Sequence, residues 1–167
     1  TDGSQIWMND TSHFRFSLSA TFSQDETILA TPSIDTAVRL WDVESGLETS
    51  LPLIHDGGVW RAVFSPDQKK LAVISDQNDL WIWSIPNESH AQVLYYPRRL
   101  KAEIVDVAFN ETGNKLVTIT IDGEFLEWDL NVPTFKPMLL THSGVIQGYD
   151  LTVDGKWAAT GGEDNVV

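Results

Sequence analysis

The sequence contains no cysteine, and it has no apolar run close to the 18 residues that a membrane-spanning helix needs. Without cysteine the chain can form no disulfide, no thiolate zinc site and no cysteine nucleophile. No charged-then-apolar leader opens the sequence, so it predicts neither a signal peptide nor a membrane span. These absences point to a globular domain that is held together by its core.

Basic residues are also scarce: 11 Lys and Arg stand against 24 Asp and Glu, which gives a net charge of -13. Nucleic acids and anionic membranes select proteins with a basic face, so neither is predicted as the main partner. The charge instead predicts a protein partner with a basic surface, because opposite charges speed association. The length of 167 residues and the apolar share of 42% fit one globular domain or a piece of one.

One pattern recurs along the chain with a nearly constant period. Trp41, Trp83 and Trp128 are 42 and 45 residues apart. A phenylalanine lies 19 residues before each tryptophan and a leucine 12 before each, at Phe22, Phe64 and Phe109 and at Leu29, Leu71 and Leu116. A histidine precedes the first two phenylalanines by nine residues, and the same offset separates His142 from Leu151 in a fourth, shorter copy. A fixed period of this length indicates a repeat architecture.

Each copy has the composition of a strand meander. The segments VWRAVFS and KLAVIS are rich in β-branched and aromatic residues, and the turn-forming sequence PDQK lies between them. A third strand ends at each tryptophan, and the looser stretch after it has room for a fourth. No segment of 12 or more residues keeps the apolar period of a helix. The sequence therefore predicts four-stranded antiparallel units of about 42 residues.

Such a sheet has two apolar faces, and stacking against neighbouring sheets buries them. We therefore predict an all-β fold, in which radial stacking of the sheets as blades gives a β-propeller and a straight stack would satisfy the same period. The predicted units, all in one domain, are the end of a preceding blade at 1–9, blades at 10–50, 51–94 and 95–137, and an incomplete blade at 138–167.

The runs ETILATPSIDTAVRLWD, HDGGVWRAVFSPD and GGEDNVV resemble the WD40-repeat family, and the resemblance covers essentially the whole chain. This resemblance favours radial stacking of the sheets over a straight stack. It also implies one buried hydrogen-bonded set in each blade: a histidine before the innermost strand, a hydroxyl on the second strand, an aspartate in the next turn, and the tryptophan. In such a set the aspartate orients the imidazole, the imidazole reaches the hydroxyl, and the hydroxyl bonds the indole N–H.

Carried onto this sequence, the four sets are unequal. The first is His13, Thr31 (or Ser33), Asp35 and Trp41. The second is His55, Ser75 and Trp83, with Gln77 at the aspartate position and Asp76 beside it. In the third, Leu100 replaces the histidine and leaves Thr118, Asp122 and Trp128. The fourth offers His142, Thr160 and Asp164.

Propellers of the family usually have about seven blades, so the resemblance implies an excerpt of a longer propeller; a self-associating half-ring is the alternative. Only five residues separate Trp7 from His13, whereas 13 separate Trp41 from His55. Either the outer strand of the first unit is missing, or residues have been lost there.

One basic, aromatic segment stands out in this acidic chain: LYYPRRLK, before the innermost strand of the third unit. Tyrosine and arginine are enriched at interface hot spots, so the segment is a candidate partner-binding site; the alternative is a solvated loop with packed tyrosines. Trp60 is a further candidate, either as a partner anchor or as packing between blades. The candidate residues are Trp60, Tyr95, Tyr96, Arg98, Arg99 and Lys101.

The sequence gives little support to catalysis. The in-phase histidines lie in different repeats, so each is expected to serve its own blade rather than a metal site or an acid–base pair. Ser12–His13 and Ser89–His90 lack the oriented base that a nucleophilic triad needs. The segment DQNDLW lacks the glycine and the glutamate of a calcium loop. We predict no catalytic residue, no metal and no cofactor.

We therefore predict a non-catalytic protein–protein interaction scaffold or ligand-sensing module, within a larger multidomain chain or complex. We also expect a signalling role and a cytoplasmic location. The alternative is an enzyme or regulatory subunit with a ligand site on the central face of the propeller, and its candidate residues are Asp35, Asp122 and His142. A third hypothesis is an architectural spacer, marked by loops without clustered aromatic exposure.

Overall fold

The computed structural model describes residues 13–85, 92–95, 102–122, 124–131, 134–139, 145–152 and 157–165. These ranges contain fourteen β-strands and no helix, and therefore no helix that could cross a membrane. All strand pairings are antiparallel, and sequential strands pair with one another in every sheet. The prediction of an all-β fold built from antiparallel meanders is confirmed.

The strands form three four-stranded sheets and one two-stranded sheet. The first sheet has strands β1 (Thr21–Phe22), β2 (Ile28–Pro32), β3 (Ala37–Asp42) and β4 (Leu53–Ile54). The second has strands β5 (Val59–Phe64), β6 (Lys70–Ser75), β7 (Leu80–Ser84) and β8 (Gln92–Tyr95). The third has strands β9 (Ile104–Phe109), β10 (Lys115–Thr120), β11 (Glu124–Asp129) and β12 (Thr134–Leu139). The fourth pairs β13 (Ile146–Leu151) with β14 (Ala158–Gly162).

The turn between the first two strands has the same construction in successive sheets. Its backbone bond joins the residue after the first strand to the start of the second: Ser23 N–H to Ile28 O, Ser65 N–H to Lys70 O, Asn110 N–H to Lys115 O, and Thr152 N–H to Trp157 O. Serine and aspartate stabilise the first two turns, because Ser23 and Ser65 each donate to an aspartate two residues on. Each of the first three turns has one residue in the left-handed region, namely Glu26, Gln68 and Gly113, and the φ of Gly113 is 65°.

Three apolar clusters lie between consecutive sheets. The cluster between the first and second sheets joins Val38 and Leu40 to Val59, Leu71 and their neighbours. A second cluster lies between the second and third sheets, and a third between the third and fourth. Each sheet thus buries an apolar face on the next one, as the repeat pattern predicted.

The contacts between neighbouring sheets are concentrated on their first strands. Strand β1 contacts β5, β5 contacts β9, and β9 contacts β13. Among the described strands, the outer strands β4, β8 and β12 contact no strand of another sheet. The sheets are therefore close at their first strands and apart at their last ones. This is radial stacking rather than a straight stack, so the propeller prediction is confirmed.

The outer strands extend beyond the ends predicted for each unit. Strand β4 pairs with β3 although it lies past residue 50, and strands β8 and β12 extend past residues 94 and 137. The unit boundaries themselves stay a prediction, and residues 1–9 lie outside the described ranges.

We expect Leu71→Ala to destabilise the chain by about 2–5 kcal/mol, because it leaves a cavity between the first two sheets. Leu71 is 0% exposed, whereas Leu51 on the loop before β4 is 77% exposed. The matched control Leu51→Ala should change stability by less than about 0.5 kcal/mol. Urea unfolding of the three proteins measures both effects, and equal midpoints for the two variants would contradict the packing described.

Candidate functional site

The hydrogen-bonded set of the first sheet is complete. His13 Nδ1 lies 2.9 Å from Asp35 Oδ2, and His13 Nε2 lies 2.8 Å from Thr31 Oγ1. The Trp41 indole donates to the same hydroxyl at 2.8 Å. Thr31 rather than Ser33 is the link, since the Ser33 hydroxyl donates to the backbone of Phe16 at 3.0 Å. Thr31 on β2 and Trp41 on β3 thus form one hydrogen-bonded set with His13 and with Asp35 in the turn between these strands.

The Asp35 carboxylate stays ionised in this setting. Burial by itself raises the pKa of Asp35, but the hydrogen bonds from His13 and from the N–H groups of Ala37 and Phe14 outweigh it, so the pKa falls below its usual value. Both oxygens are occupied, Oδ2 by His13 and Phe14 and Oδ1 by Ala37. The carboxylate therefore orients the imidazole and closes the turn before β3.

The second sheet satisfies its histidine differently from the prediction. The Trp83 indole donates directly to His55 Nε2 at 2.9 Å, and Ser75 is not between them. Ser75 Oγ instead accepts from the N–H of Gln77. The carbonyl of Thr36, in the first sheet, lies 3.3 Å from His55 Nδ1 and takes the place of the missing aspartate.

An aromatic cluster encloses His55 in the second sheet. The rings of Trp81 and Trp83 stack at 6.1 Å with an angle of 11°, and the imidazole meets Trp81 edge-on at 5.1 Å. Burial lowers the pKa of His55 to about 4, and the hydrogen bond to Thr36 only partly opposes this. The indole N–H needs an unprotonated Nε2, so the geometry and the pKa both require a neutral ring.

The third and fourth sheets keep parts of the set. The Trp128 indole donates to Thr118 Oγ1 at 3.0 Å, while Asp122 accepts from the hydroxyl of Thr120 at 2.6 Å. Thr160 is buried on β14 and Asp164 lies in the turn after it. His142 and Leu100 lie outside the described residues.

The predicted partner-binding residues fall mostly outside the described ranges. Tyr95 is the last residue of β8. Trp60 is partly buried and packs on the apolar cluster between the second and third sheets, which is the packing alternative. The remaining four candidates lie outside the described residues: Tyr96, Arg98, Arg99 and Lys101.

A cleft that the sequence analysis missed lies where the first strands converge. Its volume is about 880 Å³, and strands β1, β5, β9 and β13 line it together with the turns that follow them. Two of its aromatic side chains are largely exposed: Phe22 at 56% and Trp157 at 74%. We call this space the central cleft, and it is the candidate functional site.

One ion pair crosses the central cleft between two sheets. Arg61 on β5 places Nε 2.6 Å from Asp106 Oδ1 on β9. Burial raises the pKa of Asp106 more than Arg61 lowers it, and the negative charge of Asp150 raises it further. Asp150 and Glu111 also line the cleft, so its described lining residues include three carboxylates and one guanidinium.

The sequence did contain a signal for this ion pair. Arg61 and Asp106 are charged residues inside otherwise apolar strands. Each lies three residues before the phenylalanine that recurs in every copy, Phe64 for Arg61 and Phe109 for Asp106. A charge at such a position is costly unless it has a partner. Two opposite charges at the same register in consecutive repeats therefore predict a contact between neighbouring strands. Within the described part of the chain, no group of three or more His, Asp or Glu residues is arranged to hold a metal ion.

Comparison with known proteins gives the following relations. Residues 11–42 match the family model described as WD domain, G-beta repeat. The chain is 28% identical over 178 aligned residues to Protein HIR1 of Eremothecium gossypii, and the match covers 87% of this chain and 21% of that protein. It is 25% identical to the DDB1- and CUL4-associated factor 7 homolog of Dictyostelium discoideum, over 74% of this chain and 39% of that protein.

Among solved structures, the β-propeller domain of Cps50 (Swd1) from Myceliophteria thermophila superimposes with a TM-score of 0.76 at 18% identity. That match covers 92% of this chain and 51% of the domain. The chain thus spans about a fifth to two fifths of the two curated relatives named above and half of the solved propeller. At this identity the structural match establishes the fold.

We expect Thr31→Val to cost about 1–3 kcal/mol, because the valine keeps the shape of threonine but leaves the Trp41 indole and His13 Nε2 without their shared partner. Thr49→Val is the control, since Thr49 is exposed and its hydroxyl makes only a 3.4 Å bond to Leu40 O. The control should cost less than about 0.5 kcal/mol. Chemical unfolding measures the free energy of unfolding of both variants. If Thr31→Val loses no more stability than Thr49→Val, the hydrogen-bonded set contributes nothing to stability.

Stability should fall with acidification because of His55. Its pKa is 6.5 in an unfolded chain and about 4 in the folded one, so the unfolded state binds the proton first. The free energy of unfolding should therefore drop by about 1.4 kcal/mol per pH unit as pH falls between these two values. His55→Gln removes this titration while its amide can still accept from Trp83. Urea unfolding of both proteins between about pH 7 and pH 4.5 tests the difference, and parallel pH profiles would refute it.

Proposed function

Because this chain is a WD40-repeat β-propeller protein, we propose that it is a protein-interaction module that binds its partner at the central cleft and performs no chemistry of its own. The observation that carries the proposal is the convergence of four sheets on one cleft with exposed aromatic walls. Exposed apolar surface in a concave site is typical of a binding site. Tryptophan is also among the side chains that contribute most to protein interfaces.

The relatives support a role in assemblies. The DDB1- and CUL4-associated factor 7 homolog is named for a factor that associates with other molecules. Since this chain spans only part of such proteins, a similar association follows for the whole protein only as a proposal. We infer that the chain works as part of a multidomain protein or complex.

The charge of the chain supports a basic partner. A net charge of -13 attracts a basic protein surface, and it disfavours nucleic acid and anionic membranes as partners. Binding should weaken as salt increases, because exposed charges are screened. The cytoplasmic location and the signalling role stay predictions from the sequence.

The described contacts favour binding over catalysis. Of the residues considered for an active site, Asp35 is held by His13 and two backbone N–H groups, and Asp122 accepts from Thr120. These two aspartates serve different sheets, and neither lines the central cleft. The third candidate, His142, lies outside the described residues. The alternative hypothesis, an enzyme or regulatory subunit, also required a ligand site on the central face of the propeller. In our proposal that site is the central cleft, and it binds a protein.

We expect the double variant Phe22→Ala, Trp157→Ala to bind an identified partner about tenfold or more weakly than the unchanged chain, because it removes the exposed aromatic walls. Partners are captured with the immobilised chain, and affinity is then measured by calorimetry at two salt concentrations. Leu47→Ala, Leu51→Ala is the matched control, since these leucines are 69% and 77% exposed on the loop after β3.

Arg98→Glu, Arg99→Glu forms a third arm that tests the basic segment predicted from the sequence. If the arginine variant loses affinity and the Phe22→Ala, Trp157→Ala variant keeps it, the partner binds at the basic segment and not at the central cleft. Equal losses in the cleft variant and the leucine control would instead indicate unspecific apolar contact.

A further inference from the structure

One buried histidine joins two sheets at the point where the chain passes between them. His55 follows β4, the last strand of the first sheet, and residues 55–58 lead to β5, the first strand of the second sheet. We call this segment the linker. We propose that His55 is an acid-sensitive latch: a proton on Nε2 expels the imidazole and releases the linker, while the apolar cluster between the two sheets stays packed. The described lining of the central cleft does not include the linker, so this inference is independent of the proposed binding site.

The first argument concerns how the two sheets share His55. Its backbone N–H donates to Thr36 O, in the turn before β3, at 2.9 Å. Its Nε2 accepts from the Trp83 indole of the second sheet at 2.9 Å, and the residue is only 4% exposed. A proton on Nε2 would face the indole N–H, so two donors would meet at a buried position. The protonated ring therefore has to leave its place against Trp83.

The second argument concerns the charges around the ring. Acidic residues lie on three of the elements that surround it. In the linker, Asp56 favours protonation of His55. In the turn before β3, Asp35 is already held by His13, and Asp79, just before β7, is itself buried. Burial outweighs the effect of Asp56, so the pKa of His55 is about 4 with the latch closed and returns toward 6.5 once the linker is released.

The third argument concerns the turn that holds the linker. Thr36 has a φ of 74°, in the left-handed region that a β-branched residue adopts at a cost. The corresponding turns of the second and fourth sheets have Asn78 and Asn165 in this conformation, which asparagine tolerates better. A strained backbone persists only where its surroundings hold it, and the bond to His55 is one of the contacts that hold Thr36. Release of the linker therefore allows the turn to relax.

The linker can move without the core. It ends in Gly57 and Gly58, and a Cβ at Gly57 would collide with the Asp76 carboxylate. Glycine is therefore required while the linker is closed, and it also leaves the backbone free to turn once the linker is released. The apolar cluster between the first two sheets has no charge to gain, so acid does not weaken its burial.

The test is hydrogen exchange of the full chain, followed by NMR between about pH 7.5 and pH 4 in low concentrations of urea. The N–H groups of His55 and Asp76 report the linker, because they donate to Thr36 and to Gly58. The N–H of Leu71, on β6, reports global unfolding. After correction for intrinsic exchange rates, we expect the opening at the two linker sites to increase about tenfold per pH unit from pH 6.5 to about pH 4. This opening should be insensitive to urea, whereas the opening at Leu71 should increase with it.

Three variants and one control make the test specific. His55→Gln still offers Trp83 an acceptor but cannot be protonated, so it should abolish the pH dependence of the opening. Thr36→Asn relieves the backbone and should reduce the opening about threefold at every pH. Trp83→Phe removes the donor that opposes the proton, so it should raise the pH at which His55 titrates. The control Trp128→Phe removes an indole hydrogen bond in the third sheet and should leave that titration unchanged.

Equal urea dependence at His55, Asp76 and Leu71 would overturn the proposal, because the ring would then be released only by global unfolding. An opening of the linker that does not change with pH would overturn it, as would an unchanged pH dependence in His55→Gln. Equal shifts of the His55 titration in Trp83→Phe and Trp128→Phe would show that general loss of stability, and not the latch, sets the response.

Discussion

Every feature of this chain depends on the burial of two apolar faces by each sheet. A four-stranded meander of about 40 residues cannot cover both of its own faces, so each sheet requires a neighbour. The three clusters between consecutive sheets show this burial, with Leu71, Ile82 and Leu116 almost fully enclosed. Because the first strands are close and the last strands are apart, the same burial fans the sheets around an axis.

The polar groups inside the sheets follow from that burial. Once a tryptophan is buried, its indole N–H needs an acceptor, and the chain provides one in more than one way. Trp41 uses a threonine that also bonds His13, whereas Trp83 uses His55 itself and the backbone of Thr36 lies against the other ring nitrogen. In both repeats the indole N–H has a hydrogen-bond acceptor, but the residue that supplies the acceptor differs.

The central cleft is the place where this mutual burial ends. The first strands and the turns after them line it, and Phe22 and Trp157 are exposed there beside the ion pair of Arg61 with the buried Asp106. The apolar clusters between the described sheets, in contrast, enclose their side chains against a neighbour. A surface that remains apolar and charged at the convergence of several sheets is suited to a partner that supplies what the fold does not.

The resemblance to the WD40-repeat family implied the first hydrogen-bonded set, and its residues make the expected contacts. Spacing alone determined the meanders and their stacking, because a strand has a local pattern and a tryptophan recurs at a fixed period. It did not determine that the Trp83 indole bonds His55 directly, since the two residues are 28 positions apart in the chain. Nor did it show that Arg61 reaches Asp106, although the two charges have the same register in consecutive repeats. That contact joins two sheets and exists only after both have packed around the axis, so the site itself is a product of the tertiary structure.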